Sequence, residues 1–248
     1  MLCLTGPVAA EVRIVTTEEP PTNFTQQGQL LGITTDIVNA IRKELGIHSE
    51  IEVKPWARSY LIAKANPNVA IFTAGQTEIR EMLGFHFVGP VVSRKHGLWA
   101  RKDNDYAINQ LSDVKKLNLK VGAMRDDWRA LHIKEQGILV EEVPAHVHGL
   151  KMLLRKRTDL WISSNIEAPV IAQSQQVDMD RIKMVLVFKE APSYIMLSKG
   201  TQPEVVKAWQ AAFSKLQQSG FMDQLAEKWS KNLGYKLVYH PEQGIHLE

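Results

Sequence analysis

The chain has 248 residues and a formal net charge of +3, with 44% apolar and 23% charged residues. This composition is typical of a soluble globular protein, and the length allows one large domain or two lobes. The small, dispersed charge argues against nucleic-acid binding. The sequence has no apolar run that approaches the ~18–20 residues of a membrane span.

The first ten residues are apolar and end in Val8-Ala9-Ala10, a small-residue pattern that suits signal peptidase. Residues 1–10 are therefore interpreted as the tail of a signal peptide, and the alternative is an unstructured or strand-capping N-terminus. The one cysteine, Cys3, lies in this segment. The rest of the chain then has no disulfide framework and no catalytic cysteine. This pattern predicts an exported, periplasmic protein.

Strands and helices alternate in the first part of the chain. The pattern predicts strands at 11–17, 51–53 and 69–72, and helices at 36–45 and 56–65. Thr35 is predicted to cap the first helix, which is predicted to end at Gly46. A strand-helix-strand-helix-strand order predicts a parallel sheet with right-handed crossovers.

A second α/β unit follows, with predicted strands at 119–121, 138–143 and 159–162 and helices at 127–135, 147–155 and 168–173. Two amphipathic helices, beginning at Pro203 and Phe221, close the chain. Extended segments at 85–92, 96–101, 182–188 and 193–197 connect these parts. We therefore predict a discontinuous lobe 1 (11–98 plus 200–240) and a lobe 2 (99–199). Two crossings between them would form a hinge with a ligand cleft at the carboxyl ends of the strands.

The stretch from Val69 to Arg80 carries the strongest candidate site. An apolar strand breaks into Thr73-Ala74-Gly75, and Thr77 is predicted to be the N-cap of a short helix that carries Arg80. Strand-end amides followed by a planar, permanently charged guanidinium suit a carboxylate ligand. The alternative is that Arg80 is an ordinary surface arginine.

The sequence resembles the type II periplasmic solute-binding proteins of the amino-acid (family 3) class from about residue 11 to residue 234. The segment Gly32-Ile-Thr-Thr-Asp36 is similar to the family's glycine- and acid-containing pattern before an amphipathic helix, although Thr34 replaces its first acidic residue. Thr73–Arg80 is similar to the family's Ser/Thr-x-Ser/Thr…Glu-Arg stretch. Pro55-Trp56-Ala57-Arg58 resembles a subgroup motif.

This resemblance implies a two-lobed, type II periplasmic-binding-protein fold of the α/β class. It also implies that Arg80 pairs with the α-carboxylate of the ligand, with Thr73 and Gly75 at the supporting loop positions. Family members often place an aromatic residue just before the proline of the first loop. Glu19 stands near that position here, while Asn23 and Phe24 could reach the cleft.

A second departure concerns the other lobe. The family usually has an aspartate five residues after the Asp of a strand, where it pairs with the α-ammonium of the ligand. Here Ser164 follows Asp159 at that spacing, and a hydroxyl cannot replace a counter-charge that contributes about 1.5–3 kcal/mol. Two hypotheses follow: Glu19 supplies the missing charge, or the ligand is an acid without an α-ammonium.

The remaining candidates each have a structural alternative. Trp56 could stack on the ligand or pack in the core, and Arg58 begins a helix next to the predicted cleft. Arg125 and Asp126 lie where a strand meets a helix N-terminus, a frequent ligand position. Asp126 and its neighbour Asp127 could equally be helix caps.

The resemblance implies a monomeric, non-catalytic protein that closes its lobes on a small carboxylate-bearing solute and presents it to an inner-membrane ABC permease. One alternative is a dehydratase or lyase on the same scaffold, with Glu19, Asp126 or Glu167 as acid or base. Another is the sensor module of a receptor. No cofactor and no nucleic-acid partner are expected. No metal site is expected either, because His146 and His148 would diverge on a helix.

Overall fold

The computed structural model describes residues 12–125 and 127–248. The predicted signal-peptide remnant at 1–10 and the candidate ligand residue Asp126 lie outside the described residues.

The described chain alternates strands and helices. The strands are β1 (Arg13–Thr16), β2 (Phe24–Gln26), β3 (Gln29–Leu31), β4 (Ile51–Val53), β5 (Val69–Gly75), β6 (His86–Arg101), β7 (Val121–Met124), β8 (Val140–Val143), β9 (Leu160–Ser164), β10 (Ile182–Leu197), β11 (Leu237–His240) and β12 (Gly244–Leu247). The helices are α1 (Ile33–Leu45), α2 (Trp56–Ala65), α3 (Glu78–Met82), α4 (Leu111–Lys116), α5 (Trp128–Glu135), α6 (His146–Leu154), α7 (Glu167–Ser174), α8 (Pro203–Gln218) and α9 (Phe221–Leu233), with a 3-10 turn at Met179–Arg181.

The chain divides into two compact units. Unit 1 contains the residues up to Ser93 together with Pro192–Glu248, and unit 2 is Arg94–Ala191. The sequence placed these boundaries at 98/99, within a predicted extended segment, and at 199/200, just after another. The predicted segments 85–92 and 96–101 lie in one continuous strand of 16 residues, β6, and the segments 182–188 and 193–197 lie in another, β10. The chain therefore passes between the units within a strand, and no loop marks either boundary.

Unit 1 contains the predicted parallel arrangement. Strand β1 pairs in parallel with both β4 and β5, which confirms the βαβαβ prediction. The last part of β10, from Ser193 to Leu197, adds an antiparallel partner to β5. Fully buried side chains such as Ile14 and Phe72 fill the core of this unit.

Helix α1 begins at Ile33, three residues before the predicted start at Asp36, and Thr35 is therefore not its N-cap. Gly32 takes the N-cap position with φ 137°. The carbonyl of Thr22 accepts the backbone N–H groups of Thr34 and Thr35 at 2.9 and 3.3 Å, which satisfies two donors of the first turn. The C-terminal prediction is confirmed, because Gly46 ends the helix in the left-handed conformation with φ 65°.

Unit 2 has a parallel group of its own. Strand β7 pairs in parallel with β8 and β9, and the second half of β6 pairs with β9 in antiparallel register. The carboxyl ends of three parallel neighbours meet at one edge of a sheet, where α/β proteins bind ligands. We call the residues that follow β7, β8 and β9, together with the residues of β6 that pair with the end of β9, the carboxyl edge of unit 2.

The residues after 234, where the resemblance to the family ends, form a hairpin of β11 and β12 in unit 1. Ile245 of β12 pairs with Val92 of β6, and the Ser93 hydroxyl donates to the carbonyl of Gln243 at 2.5 Å. A side chain at Gly244 would come within 2.5 Å of the Val91 backbone, so this close approach requires glycine. The sequence did not predict this hairpin, because its strands are short and lack a strong apolar alternation.

Candidate ligand-binding residues

Arg80 lies on the short helix α3, immediately after the end of β5. The backbone N–H of Arg80 donates to the Thr77 hydroxyl at 3.3 Å, which confirms Thr77 as the N-cap. The Nη1 group of Arg80 donates to the carbonyl of Gly75. This bond orients the guanidinium and leaves further N–H donors on the same side chain.

Two aromatic rings contact the guanidinium of Arg80. Its Cζ lies 5.1 Å from the centre of the Trp56 ring and 5.2 Å from that of Tyr60, within the range of cation–π attraction. Trp56 and Tyr60 are one turn apart on α2, and their rings stack with centres 6.0 Å apart. Tyr60 in turn stacks on Phe85 at 5.9 Å. Trp56 therefore packs against the core and contacts Arg80 at the same time.

The charge of Arg80 is only partly compensated. Burial lowers its pKa from the ordinary value, and the interaction with Tyr60 opposes that shift. Within residues 12–125 and 127–248, no carboxylate lies at ion-pair distance from Arg80. A half-buried guanidinium held by aromatic rings and one carbonyl can accept an external carboxylate without breaking a salt bridge.

Thr73 and Asn23 are brought together in unit 1. The Thr73 hydroxyl donates to the Asn23 side-chain oxygen, and the Asn23 amide donates to the carbonyl of Thr17. Asn23 is fully buried, and Thr73 adopts φ 63°, which is rare for a β-branched residue. The backbone of Glu19 closes the same loop, since its carbonyl accepts from the N–H of Asn23 at 3.1 Å. These contacts fix the first loop to the end of β5.

Phe24 and Arg58 lie apart from this group. The Phe24 ring packs edge-to-face on Trp229 of α9, with centres 6.2 Å apart. Arg58 is exposed on α2, and none of the described residues forms a hydrogen bond or ion pair with it. Gly75 has no positive φ, and an added Cβ would meet only the Arg80 Nη1 at an ordinary 3.7 Å.

The carboxyl edge of unit 2 contains a buried ionic cluster, which we define as Asp127, Arg129, His146 and Glu167. Arg129 forms salt bridges with Asp127 at 2.7 Å and with Glu167 at 2.8 Å, and all three side chains are buried. The Nε2 of His146 lies 3.0 Å from Arg129 Nη2 and 3.4 Å from Glu167 Oε1. Asp127 also accepts the backbone N–H of Arg129 at 2.8 Å, so it is the N-cap of α5.

The partners of Glu167 hold its carboxylate as an anion. Burial acts against ionisation of Glu167, but the charges of Arg129 and His146 outweigh it and hold the pKa of Glu167 well below its usual range. Burial acts to lower the pKa of Arg129, but Asp127 and Glu167 raise it well above its usual value. The charges of the cluster are therefore paired with one another: Arg129 binds both Asp127 and Glu167.

Ser164 is fully buried at the end of β9 and forms hydrogen bonds with Glu167, the first residue of α7. Its hydroxyl accepts the backbone N–H of Glu167 at 3.2 Å, and its own N–H donates to Glu167 Oε2 at 3.3 Å. The Ser163 hydroxyl donates to the same oxygen at 3.0 Å. The hydroxyl of Ser164 thus stabilises the start of α7.

Arg125 is exposed and lies 3.9 Å from Glu142, a distance typical of a weak surface ion pair. Its neighbour Asp126 lies outside the described residues.

Sequence reasoning missed three residues with clear roles. Tyr60 supports Arg80, Arg129 holds the two acids of unit 2, and His96 of β6 lies opposite Ser164 in the strand register. The i,i+4 spacing of Trp56 and Tyr60 was a usable signal for an aromatic pair on one helix face. Nothing local distinguishes Arg129 from an exposed helix arginine, because its burial depends on Glu167, 38 residues later.

The sequence matches the bacterial extracellular solute-binding proteins, family 3, over residues 12–232. The chain belongs to this family, which confirms the resemblance inferred from its motifs. Members of the family are binding proteins, so the expectation that the chain is not an enzyme is also confirmed. A comparison with curated proteins returned no match.

Solved structures share the fold. An ancestral arginine-binding protein bound to arginine has a TM-score of 0.72 and 23% identity, covering 89% of this chain and 99% of that one. A mutant of ArgBP from T. maritima has a TM-score of 0.73 and 20% identity, covering 89% and 96%. A histidine kinase sensor domain with similarity to periplasmic binding proteins has a TM-score of 0.77 and 18% identity, with the same coverages of 89% and 96%. These matches confirm the predicted type II periplasmic-binding-protein fold.

Among residues 12–125 and 127–248, no group of histidine, cysteine, aspartate and glutamate side chains could hold a metal ion. None of the helices formed by these residues is both long and apolar enough to cross a bilayer.

Proposed function

We propose that this protein captures a small carboxylate-bearing solute outside the cytoplasm and presents it to an ABC-type permease of the inner membrane. The observation that carries the proposal is the Arg80 guanidinium, which two aromatic rings and the Gly75 carbonyl hold in place without a carboxylate partner among the described residues. Membership of the extracellular solute-binding family supports the location and the transport role.

The proposed mechanism is closure of the two units on the ligand. A ligand that contacts both units binds the closed state more tightly and shifts the population toward it. Arg80 provides the anchor in unit 1, while Thr73 and Asn23 fix the loop beside it. The carboxyl edge of unit 2, where ligands of parallel sheets bind, provides the second set of contacts.

Calorimetric titration of the wild type, Arg80→Ala and Arg80→Lys with amino acids, dicarboxylates and other small acids tests the anchor. Arg80→Ala is expected to weaken binding of the tightest ligand about ten- to hundredfold, because hydrogen bonds to a charged group contribute about 1.5–3 kcal/mol. Arg80→Lys should recover only part of the affinity, since an ammonium cannot form the bidentate contact. A ligand that binds wild type and Arg80→Ala equally would refute the carboxylate anchor.

Lys64→Ala is the matched control, because Lys64 is an exposed cation on α2 of the same unit. It should leave the affinity unchanged, whereas an equal loss in both variants would indicate a general charge effect rather than a specific contact.

A sensor module of a receptor would use the same capture step, and the histidine kinase sensor domain shares the fold with a TM-score of 0.77. Reconstituted transport separates the two roles. Ligand-dependent ATP hydrolysis by a permease in vesicles, stimulated by this protein, would support the transport role. Its absence with every permease of the source organism would favour the sensor.

A further inference from the structure

One segment of unit 2 departs from the dispersed charge of the chain. The stretch from Val143 to Thr158 contains four lysines and arginines and no aspartate or glutamate. We infer that the end of α6 and the turn after it form a docking surface for an anionic phospholipid membrane. We define the basic turn as the four cations of this stretch, Lys151, Arg155, Lys156 and Arg157.

The side chains of the basic turn are available to a partner, because all four are exposed. Among residues 12–125 and 127–248, none of them forms a hydrogen bond or an ion pair through its side chain. The next acid along the chain, Asp159, binds other groups. Its carboxylate accepts from the Tyr106 hydroxyl at 3.2 Å and from the backbone N–H of Lys120 at 2.9 Å. No described acid therefore pairs with the basic turn.

The end of α6 does not need these side chains for its own hydrogen bonds. The backbone N–H of Arg157 donates to the carbonyl of Met152 at 2.9 Å, and that of Lys156 donates to Leu153 at 3.1 Å, which is the Schellman pattern. A cation of β6 also contributes, since the Nη1 of Arg101 donates to the Leu153 carbonyl at 2.9 Å. This guanidinium complements the negative end of the helix dipole. The four exposed charges exceed what the helix end requires.

The composition of the surface favours a membrane over a folded protein as the partner. Protein interfaces usually have a core of aromatic or other large apolar side chains, with charged residues at the rim. Among the described residues, no large apolar side chain of high exposure belongs to the stretch 143–158. Anionic headgroups, in contrast, attract clusters of about four to eight lysines and arginines through charge alone.

The position of the basic turn leaves the carboxyl edge of unit 2 free. The turn precedes β9, which begins at Leu160, whereas the carboxyl edge follows the other end of that strand at Ser164. A membrane docked at the turn would therefore not cover the carboxyl edge of β9. The inference rests on the proposed function only for its setting, since a protein that serves a permease works beside a membrane.

Co-sedimentation of the full chain with vesicles tests the inference. Vesicles of phosphatidylglycerol and phosphatidylcholine in equal amounts are compared with vesicles of phosphatidylcholine alone, at about 0.1 M salt. The protein is expected to sediment with the anionic vesicles only. The bound fraction should fall as the salt is raised to about 1 M, where the screening length shrinks to about 3 Å. Equal binding to both kinds of vesicle, or binding to neither, overturns the inference.

A charge-matched pair of variants locates the surface. The variant Lys151→Gln/Lys156→Gln should bind anionic vesicles about twenty-five-fold more weakly, because each cation near an anionic surface contributes about fivefold in affinity. The control Lys43→Gln/Lys207→Gln removes the same charge from two exposed lysines of unit 1. It should lose less than about twofold, because distant charges are screened. Equal losses in the two variants would show that only the net charge matters and would overturn the inference.

Lys156→Gly separates the charge from the fold. Lys156 has φ 59° at the position where helix ends prefer glycine, so this substitution suits the backbone. The melting temperature should be unchanged or higher, while binding to anionic vesicles should become about fivefold weaker. If vesicle binding is unchanged, the lysine is only part of the turn and the inference is wrong.

Heparin serves as a competing polyanion. If the protein binds heparin through the basic turn but does not bind the anionic vesicles, the turn recognises a polyanion other than a membrane, which contradicts the inference. The outcome for the proposed function is read separately, because Lys151→Gln/Lys156→Gln should bind small acids in solution with the affinity of the wild type. Failure of vesicle binding therefore leaves the Arg80 anchor intact, and failure of the anchor leaves the docking surface intact.

Discussion

Arg129 and Glu167 form a buried salt bridge of 2.8 Å, with side-chain exposures of 4% and 0%. Arg129 lies on α5 and Glu167 on α7, so the pair connects the segments that follow β7 and β9. Because the same guanidinium also binds Asp127, the arrangement at this edge depends on one cation.

Glu167→Gln is expected to destabilise the protein by about 3–5 kcal/mol, because it removes one partner of a buried ion pair and leaves the Arg129 charge partly uncompensated. Urea unfolding at pH 7 measures the difference. Glu141→Gln is the control, since Glu141 is half exposed in a surface pair of 3.7 Å. That substitution should change stability by no more than about 0.5 kcal/mol. Equal losses of stability in the two variants would show that burial of the Arg129–Glu167 pair does not determine its contribution.

The contribution of Glu167 to stability is expected to depend on pH in a defined direction. Its partners hold the pKa of Glu167 well below the usual range in the folded protein. A depressed folded pKa gives a contribution that is complete above the unfolded pKa, about 4.3, and is lost progressively as the pH falls below it. The stability difference between wild type and Glu167→Gln should therefore be constant from pH 7 to about pH 5 and shrink in more acid solution. A stability difference that stays constant down to pH 3 would contradict a depressed pKa of Glu167 in the folded protein.

Local patterns predicted the elements that local physics determines. The Thr77 cap, the end of α1 at Gly46 and helix α2 each depend on residues within one or two turns, and each is confirmed. The parallel order of β4, β1 and β5 follows from the alternation of strands and helices.

Features fixed by distant residues could not be predicted from the sequence. The early start of α1 depends on the carbonyl of Thr22, which accepts donors of the first turn. The Ser164 hydroxyl accepts a hydrogen bond from the backbone of Glu167, and the side chain of Glu167 is held by a salt bridge to Arg129. The sequence showed a missing acid at position 164, but only the contacts show what its hydroxyl does.

Gly32→Ala is expected to lower the melting temperature markedly. Gly32 has φ 137°, and an added Cβ would lie 2.2 Å from the carbonyl oxygen of Thr22. Backbone strain of this kind costs about 1–3 kcal/mol before the clash is counted, and each kcal/mol lowers the melting temperature by about 2–4 °C in a chain of this size.

Gly75→Ala is the matched control for that experiment. An added Cβ at Gly75 meets only Arg80 Nη1 at 3.7 Å, an ordinary contact. Differential scanning calorimetry should therefore show a large fall in melting temperature for Gly32→Ala and little change for Gly75→Ala. The opposite order would contradict the described geometry of the first loop.

Tyr60 is expected to support ligand binding through Arg80 without contacting the ligand. Its ring lies between Phe85 and Trp56, and its centre is 5.2 Å from the Arg80 Cζ. Tyr60→Leu removes the aromatic face and should weaken binding of the tightest carboxylate about two- to fivefold, because a cation–π contact of this exposure contributes about 0.5–1 kcal/mol.

Tyr60→Phe separates the ring from the hydroxyl. It retains the aromatic face, so most of the affinity lost in Tyr60→Leu should be preserved. The ring also packs on Phe85, so melting temperatures of both ligand-free variants establish whether a loss of affinity reflects unfolding. If Tyr60→Leu binds every carboxylate as tightly as wild type, the aromatic rings do not orient Arg80. If Tyr60→Phe loses as much affinity as Tyr60→Leu, the hydroxyl rather than the ring is the group that supports the guanidinium.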